Sequence, residues 1–414
     1  MRRIREFRRP RTALVVVTVV TTVLAFGIAM ASSTVPGRPI PGMTPADFSK
    51  LIVGPYPSAP IEYAPTYSVT TDAYQIESRR MMTYLVGPDE IDPDVTYLGG
   101  ARVLDTSDAN FDDTDGPFPK AWQAVAQHNR MIAGAYIWRN NNSVRARKHI
   151  TLAVMRFPTE PAARAAIDGF ADALAAPGLH PIPIDGVDAR ASSITDAKGQ
   201  VFAVHGVYAI VGHAVIPRAD PAALGVRLRA MVQAQLARMA DLTPTPLEDL
   251  PDLPINPDNI LGLTLPNKYD TSDADQFGWN YGGIYTPAGA LHYERDGAAA
   301  RKAFAAAGVD LVARNAATVY RTRDLAAAFG LQAALTTLGR DDDEFPNPPG
   351  ITDAHCIQLD EPEPIRQYTY LCAVVYGRYV AVIGAEARFS GGAPASFPQR
   401  VSAQYSMLAK SGQS

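Results

Sequence analysis

Nine side chains are the natural candidates for metal binding or nucleophilic chemistry: His128, His149, His180, His205, His213, His292 and His355, with Cys356 and Cys372. His149, His205 and His213 fall in or beside strand-like runs of the first half, where they could converge. Zinc needs three or four ligands about 2.0–2.3 Å from one point, and neither H-x-x-x-H nor C-x-x-C spacing occurs. His205 holds a turn position that Tyr376 holds in the second half, so its expected role is turn packing, and no metal site is expected. The two cysteines enclose 15 residues. A metal site would ask for more thiolates or nearby histidines, and a lone nucleophile would not need a second cysteine. In an oxidising compartment the pair reads as one Cys356–Cys372 disulfide.

Other chemistries fail on pattern. Taking Gly116 of the acidic stretch 108–116 as the sixth position of a calcium loop puts Phe111 first and Trp122 twelfth, where oxygen ligands belong. Asp341-Asp342-Asp343-Glu344 reads as a solvated loop. There is no G-x-S-x-G elbow, and neither phosphate-loop nor dinucleotide glycine pattern is present. No catalytic or cofactor-binding residue is therefore assigned. The 42 acids leave room for a carboxylate pair that could cleave a glycosidic bond. Among the aromatics (Trp122, Tyr136, Trp138, Trp279, Tyr281, Tyr285), ordinary packing is the plainer reading, and Trp138 and Trp279 are the candidates for a ligand groove between the halves.

The elements that would position these residues follow from apolar period and turn chemistry. Val204-His-Gly-Val-Tyr208 matches Val375-Tyr-Gly-Arg-Tyr379, with apolar runs on both sides and a glycine (Gly212, Gly384) closing each. Glycine first in a two-residue loop between β-rich runs signals a type II′ hairpin. Upstream, Val154-Met-Arg156 and Val319-Tyr-Arg321 each step from strand into helix. Thr159 is placed to cap a helix whose apolar face is Ala163, Ile167, Phe170 and Leu174. Leu228, Val232, Leu236 and Met239 stripe the helix that ends the first half. Phe397, Val401, Tyr405 and Leu408 do so for the second, with Ser396 as its cap, and an earlier helix is expected over Tyr74 to Val86.

Strands paired through tight turns make antiparallel sheets, so the fold class is α+β: two related antiparallel-sheet units with packed helices. The run Ile150 to Phe157 is apolar on both faces, which predicts a sheet covered on both sides. The organisation expected is an N-terminal segment over 1–31, a proline-rich stalk over 32–65, a first unit over 66–243, a proline-rich linker over 244–257 and a second unit over 258–414.

The N-terminal segment sets the compartment. Six arginines and one glutamate occupy residues 2–11, and residues 13–31 carry no charge. As a helix those residues would reach roughly 28 Å, about the hydrocarbon thickness of a bilayer. The flanking arginines hold that end in the cytoplasm. This predicts a transmembrane or signal helix, with everything after it outside. Ala29-Met-Ala31 is a cleavage pattern, whereas the length of the apolar run favours an uncleaved anchor, to which the reading leans. Without residues 1–31 the chain carries 32 basic and 41 acidic side chains, a net charge of −9. Such a body repels nucleic acid.

Gly54-Pro-Tyr-Pro57, Glu77-Ser-Arg-Arg-Met81, Glu90-Ile-Asp-Pro93, Val319-Tyr-Arg-Thr-Arg-Asp324, the cysteine pair and Gln404-Tyr-Ser-Met-Leu408 together resemble a family of actinobacterial secreted proteins and lipoproteins of unestablished function. The resemblance covers nearly all of the chain beyond the leader. Members usually carry a lipobox cysteine after the signal, which this chain lacks. The family implies a compartment and an architecture, with no catalytic residues to carry over. Two functions stay open. One is a non-enzymatic envelope scaffold that binds a protein, lipid or glycan, which is preferred. The other is a wall-acting hydrolase using a carboxylate pair.

Overall fold

The computed structural model describes residues 43–414 apart from 63–69, 108, 114–116, 267–281, 390 and 413–414. The expected membrane segment 13–31 and Trp279 lie outside the described residues. Among the described residues no helix is long and apolar enough to cross a membrane.

Among the described residues fourteen strands form two seven-stranded antiparallel sheets. The first holds β1 (Tyr97–Leu104), β2 (Ala133–Asn140), β3 (His149–Arg156), β4 (His180–Pro181), β5 (Ala189–Ser193), β6 (Lys198–His205) and β7 (Tyr208–Val215). The second holds β8 (Gly283–Tyr285), β9 (Leu311–Arg314), β10 (Ala317–Arg321), β11 (Asp343–Phe345), β12 (His355–Gln358), β13 (Tyr370–Tyr376) and β14 (Tyr379–Ala385). Their orders are β1-β2-β3-β7-β6-β5-β4 and β8-β9-β10-β14-β13-β12-β11. Adding seven to each strand of the first sheet gives the second, so the units are duplicates in topology.

The helices repeat as well. In the first unit they are α1 (Thr70–Met82), α2 (Pro88–Ile91), α3 (Lys120–His128), α4 (Glu160–Asp172) and α5 (Pro221–Met239). In the second they are α6 (Pro287–Ala290), α7 (Gly297–Ala307), α8 (Leu325–Leu335) and α9 (Ser396–Ala409). α3 and α7 each join the first two strands of a sheet, α4 and α8 follow the third, and α5 and α9 follow the seventh.

Register fixes the equivalence residue by residue. Tyr208 pairs with His205 and with Arg156, and Tyr379 pairs with Tyr376 and with Arg321. The turn glycines have φ of 54° at Gly206 and 57° at Gly377, while Val207 and Arg378 do not enter the left-handed region. Positive φ at the first central residue alone is what a type II′ turn requires. The second glycine pair is out of step by one residue. Gly212 stands where the second unit has Ile383, and Gly384 stands where the first has His213. Gly384 has a local reason: a Cβ there would come within 2.2 Å of the Tyr368 ring.

The first sheet is covered on both faces. Ile150, Leu152 and Val154 of β3 join Leu224, Leu228, Met231 and Val232 of α5 in a large core. Ala153 and Met155, on the opposite face, join Trp122 of α3 and Ala163, Ile167 and Phe170 of α4 in a separate cluster. The large core also takes in Tyr285, Tyr293, Phe304, Val312, Tyr320 and Val375, so it runs unbroken from one unit into the other.

Several local expectations need correcting. The helix expected over Tyr74 to Val86 runs instead from Thr70 to Met82, with a turn at 83–84. α9 buries Phe397, Val401, Tyr405 and Leu408 as its stripe requires, but its cap position is Ala395 and Ser396 makes no capping bond. Thr159 does cap α4, accepting from the Ala162 amide. The described part of the proline-rich stretch, 43–62, is laid against the second unit rather than standing free. Asp47 N donates to Gly350 O at 2.9 Å, Ile61 N donates to Gly262 O at 2.9 Å, and the Phe48 ring sits 6.1 Å from that of Tyr405. The proline-rich segment 244–257 is packed too, with Leu250 inside the shared core. Cys356 and Cys372 are directly opposed on β12 and β13, with Cα atoms 4.0 Å apart, and are joined by a disulfide.

Candidate functional site

The helical cover on the outer face of the first sheet stops part-way along the strands. Cross-strand partners Tyr136, Ala153, Val211 and Phe202 lie under α3 and α4 and are all buried. Two residues further along each strand, a distance of about 7 Å, the next row on the same face is Gly100, Trp138, Thr151, His213, Gln200 and Ser192. Trp138, Thr151, His213, Gln200 and Ser192 are half-buried. His149, two residues before Thr151 on β3, extends this polar and aromatic ledge. An otherwise apolar sheet face thus ends in a strip of side chains that no helix of the described residues covers.

The ledge is tightly built. Trp138 lies over β1, where a Cβ on Gly99 would come within 2.0 Å of its ring and one on Gly100 within 2.6 Å. Only glycines let the indole lie this close to the backbone. A β-bulge between Leu98 and Gly100 makes room for it. The Trp138 and His149 rings stack with centroids 5.1 Å apart, and His149 meets His213 edge-on at 5.5 Å. His149 Nε2 and the Thr151 hydroxyl are 2.8 Å apart. His149 Nδ1 and Gln200 Oε1 are buried with no hydrogen-bond partner.

Both imidazoles are neutral at pH 7. Burial pushes His149 down to about 4, helped by His213 and Arg147, and burial with Lys198 and Arg147 brings His213 to about 4. His292 also falls to about 4, through burial and Arg139, while holding the Met82 carbonyl across the unit boundary at 3.0 Å. A folded state that resists protonating these rings loses stability as pH falls from their unfolded value near 6.5 towards 4, because the unfolded chain then binds more protons. The melting temperature should therefore be level above pH 7 and drop steadily between about pH 6.5 and 4.5. His213→Gln should flatten that slope. A melting temperature unchanged over this interval would contradict the burial of these rings.

The other candidates separate. His149 and His213 come together, but His205 sits at the hairpin turn on the opposite face, opposed to Tyr208. His180 pairs with Asp196 at 2.8 Å; the Gly178 carbonyl and that carboxylate raise its pKa. Among the described residues no three His, Cys, Asp or Glu side chains gather as metal ligands. Trp138 packs with the cluster under α3 and α4 and so faces away from the core shared with the second unit, not into a groove between the units. A cavity of about 350 Å³ lies at the same end of the sheet on its other face, lined in part by Asp92, Lys148, Ile150, Val215, Arg218 and Arg227. Its charges are largely spent on one another: Arg227 and Lys148 both bind Asp92, at 2.5 and 3.1 Å.

Among the described residues the ledge has no counterpart in the second unit. There the equivalent hairpin is shortened to Leu311–Arg314 and Ala317–Arg321, whereas β2 and β3 run eight residues each. By register Gly384 replaces His213 and Leu371 replaces Gln200. The sequence offers His149, His205 and His213 as residues that could converge, and only the first and last do; Thr151, Gln200 and Ser192 enter only through strand register. Their signal is alternation: Tyr136, Trp138 and Asn140 on β2, and His149, Thr151 and Ala153 on β3, share one face by steps of two.

Comparison with curated proteins finds no match. Among solved structures, the chain is similar to the extracellular domain of PknH from Mycobacterium tuberculosis. That similarity has 12% identity and a TM-score of 0.25, over 38% of this chain and 95% of that one, a likeness too slight to carry an argument. Two family models match in succession, the N-terminal part of a domain of unknown function, DUF7373, over residues 64–255, and the C-terminal part of the same domain over 260–411. Together they take in both sheets and most of the sequence, and the chain belongs to the DUF7373 family.

Proposed function

We propose that this protein is a non-enzymatic binding scaffold of the cell envelope. Residues 1–31 carry it out of the cytoplasm, with 13–31 as its membrane contact, and the ledge around Trp138 presents it to a protein, lipid or glycan partner. The observation that carries the reading is the asymmetry of the duplication. One fold is used twice, yet only the first copy extends β2 and β3 past the helices and sets an aromatic and polar strip on the extension. A duplicated scaffold with one elaborated copy fits ligand binding better than repeated chemistry.

The hydrolase alternative needs a carboxyl that stays protonated beside one that does not. Among the described residues the buried acids are instead engaged, except that Glu363, which accepts from the Arg366 amide on one oxygen, keeps the other without a partner. Glu77 is held by Arg80 and Arg156, Asp92 by Lys148 and Arg227, and Glu294 accepts from the Tyr320 hydroxyl. Lysine 148 holds the Asp94 carboxyl below its ordinary range, the reverse of what a general acid requires.

The test is capture from solubilised envelope fractions with immobilised residues 42–414, which form one compact unit. Wild-type protein should retain a partner that Trp138→Ala loses, both proteins melting cooperatively. Equal capture by both would refute the ledge as the binding surface.

A further inference from the structure

We infer that the cavity on the inner face of the first sheet binds a small amphiphile, a single carboxylate on an apolar body, with the carboxylate at Arg218. This site is separate from the ledge and does not depend on it. The floor is apolar: Val95 and Ile150 are buried, and Val215, Ile216 and Ala223 continue the lining outwards. The mouth is open, with Pro217, Arg218 and Asp220 all exposed there. At about 350 Å³ the space is at the small end of ligand pockets, which are mostly apolar with a few placed polar groups.

The lining is set before any ligand arrives. The loop from β7 to α5 is tied at both ends, with Ile216 N donating to Ala197 O at 2.9 Å and Asp220 N donating to Asp196 O at 3.0 Å. Asp220 then caps α5, accepting from Ala223 N at 3.0 Å. Lys148 is shared between Asp92 and Asp94, and Arg227 is held by Asp92 and the Ile91 carbonyl. A pocket fixed in this way spares a ligand the cost of ordering it.

Charge selects the head group. Three cations (Lys148, Arg218, Arg227) and two carboxylates (Asp92, Asp220) line the space, which leaves one positive charge over. Asp92 is spent on Lys148 and Arg227, and Asp220 sits at a helix N-terminus whose dipole favours its charge. Arg218 enters no ion pair among the described residues. A cationic ligand must therefore compete for either acid, whereas a carboxylate meets an unoccupied guanidinium. Inorganic phosphate would leave the apolar floor bare, and a polymer chain or a folded partner is too large for the space.

The test is calorimetric titration of residues 42–414 with octanoate below its micelle-forming concentration, beside octylamine and inorganic phosphate. Octanoate should bind at a single site, and the other two several-fold more weakly. Arg218→Gln, at an exposed side chain, should weaken octanoate about threefold or more. Ala223→Phe should fill the cavity and abolish binding, with melting curves confirming that both variants fold. Octanoate that fails to bind, or that binds Ala223→Phe as well as wild type, overturns the site. Octylamine or phosphate binding as tightly as octanoate, or an Arg218→Gln variant with unchanged affinity, overturns the assignment of the carboxylate to Arg218.

Discussion

Glu77→Ala should lower the unfolding free energy by about 3–5 kcal/mol, the usual cost of removing one partner from a buried ion pair. Glu77 is fully buried on α1, and its carboxylate takes Arg156 at 2.5 Å and Arg80 at 2.8 Å. Arg156 is 3% exposed at the end of β3 and also donates to the Thr245 carbonyl. The cluster therefore ties α1, the first sheet and the segment between the units together. Without Glu77 the Arg156 guanidinium is left buried with a carbonyl but no counter-charge, whereas Arg80 can turn to solvent. Glu77→Leu with Arg156→Met should recover most of the loss, since the pair's value lies mainly in each charge cancelling the other's burial. The second unit supplies a control. Arg321, equivalent to Arg156, pairs with Asp310 and Asp258, which are both more than half exposed. Asp310→Ala should cost about 1 kcal/mol or less. Urea unfolding of the three variants beside the wild type checks all of this. A Glu77→Ala midpoint matching that of Asp310→Ala would show that the buried pair contributes nothing special.

Removing the Cys356–Cys372 bond should cost roughly 3 kcal/mol, from the entropy of closing a loop of this length in the unfolded chain. Cys372 is fully buried and Cys356 6% exposed, so the bond should resist reduction until the second sheet opens. Cys356→Ala with Cys372→Ala should shift the urea midpoint down, and a reductant should shift the wild type to match only after unfolding. Identical midpoints for wild type and double variant would contradict the expected stabilisation.

What the sequence disclosed follows from which interactions are local. The hairpins around Gly206 and Gly377, the steps from Arg156 and Arg321 into helices, and the Thr159 cap are set by neighbouring residues, so they were legible, and from them the α+β duplication. The pairing of Gly212 with Gly384 was misleading because a one-residue offset inverts which face a residue occupies. Alignment by glycine identity hid that the true counterpart of Gly384 is His213. Short edge strands such as β4 and β8 were missed, since two or three residues hold too little pattern. The ledge was only half legible. Each strand showed its alternation, but that Trp138, Thr151, His213 and Gln200 form one row depends on register across four strands. That α3 and α4 stop before that row depends on tertiary packing. The proline-rich stretches misled in the other direction: composition favours extended chain, yet Phe48 and Leu250 give each an apolar anchor to dock it.

On the proposed function, a partner binds at the outer ledge of the first unit. Oxidative footprinting of residues 42–414, with and without envelope extract, reads it at single side chains. Oxidation of Trp138 and His213 should fall several-fold on adding extract, while that of the fully exposed Phe389 of the second unit stays unchanged. Unchanged oxidation at Trp138 and His213, with protection appearing only on the second unit, would contradict it.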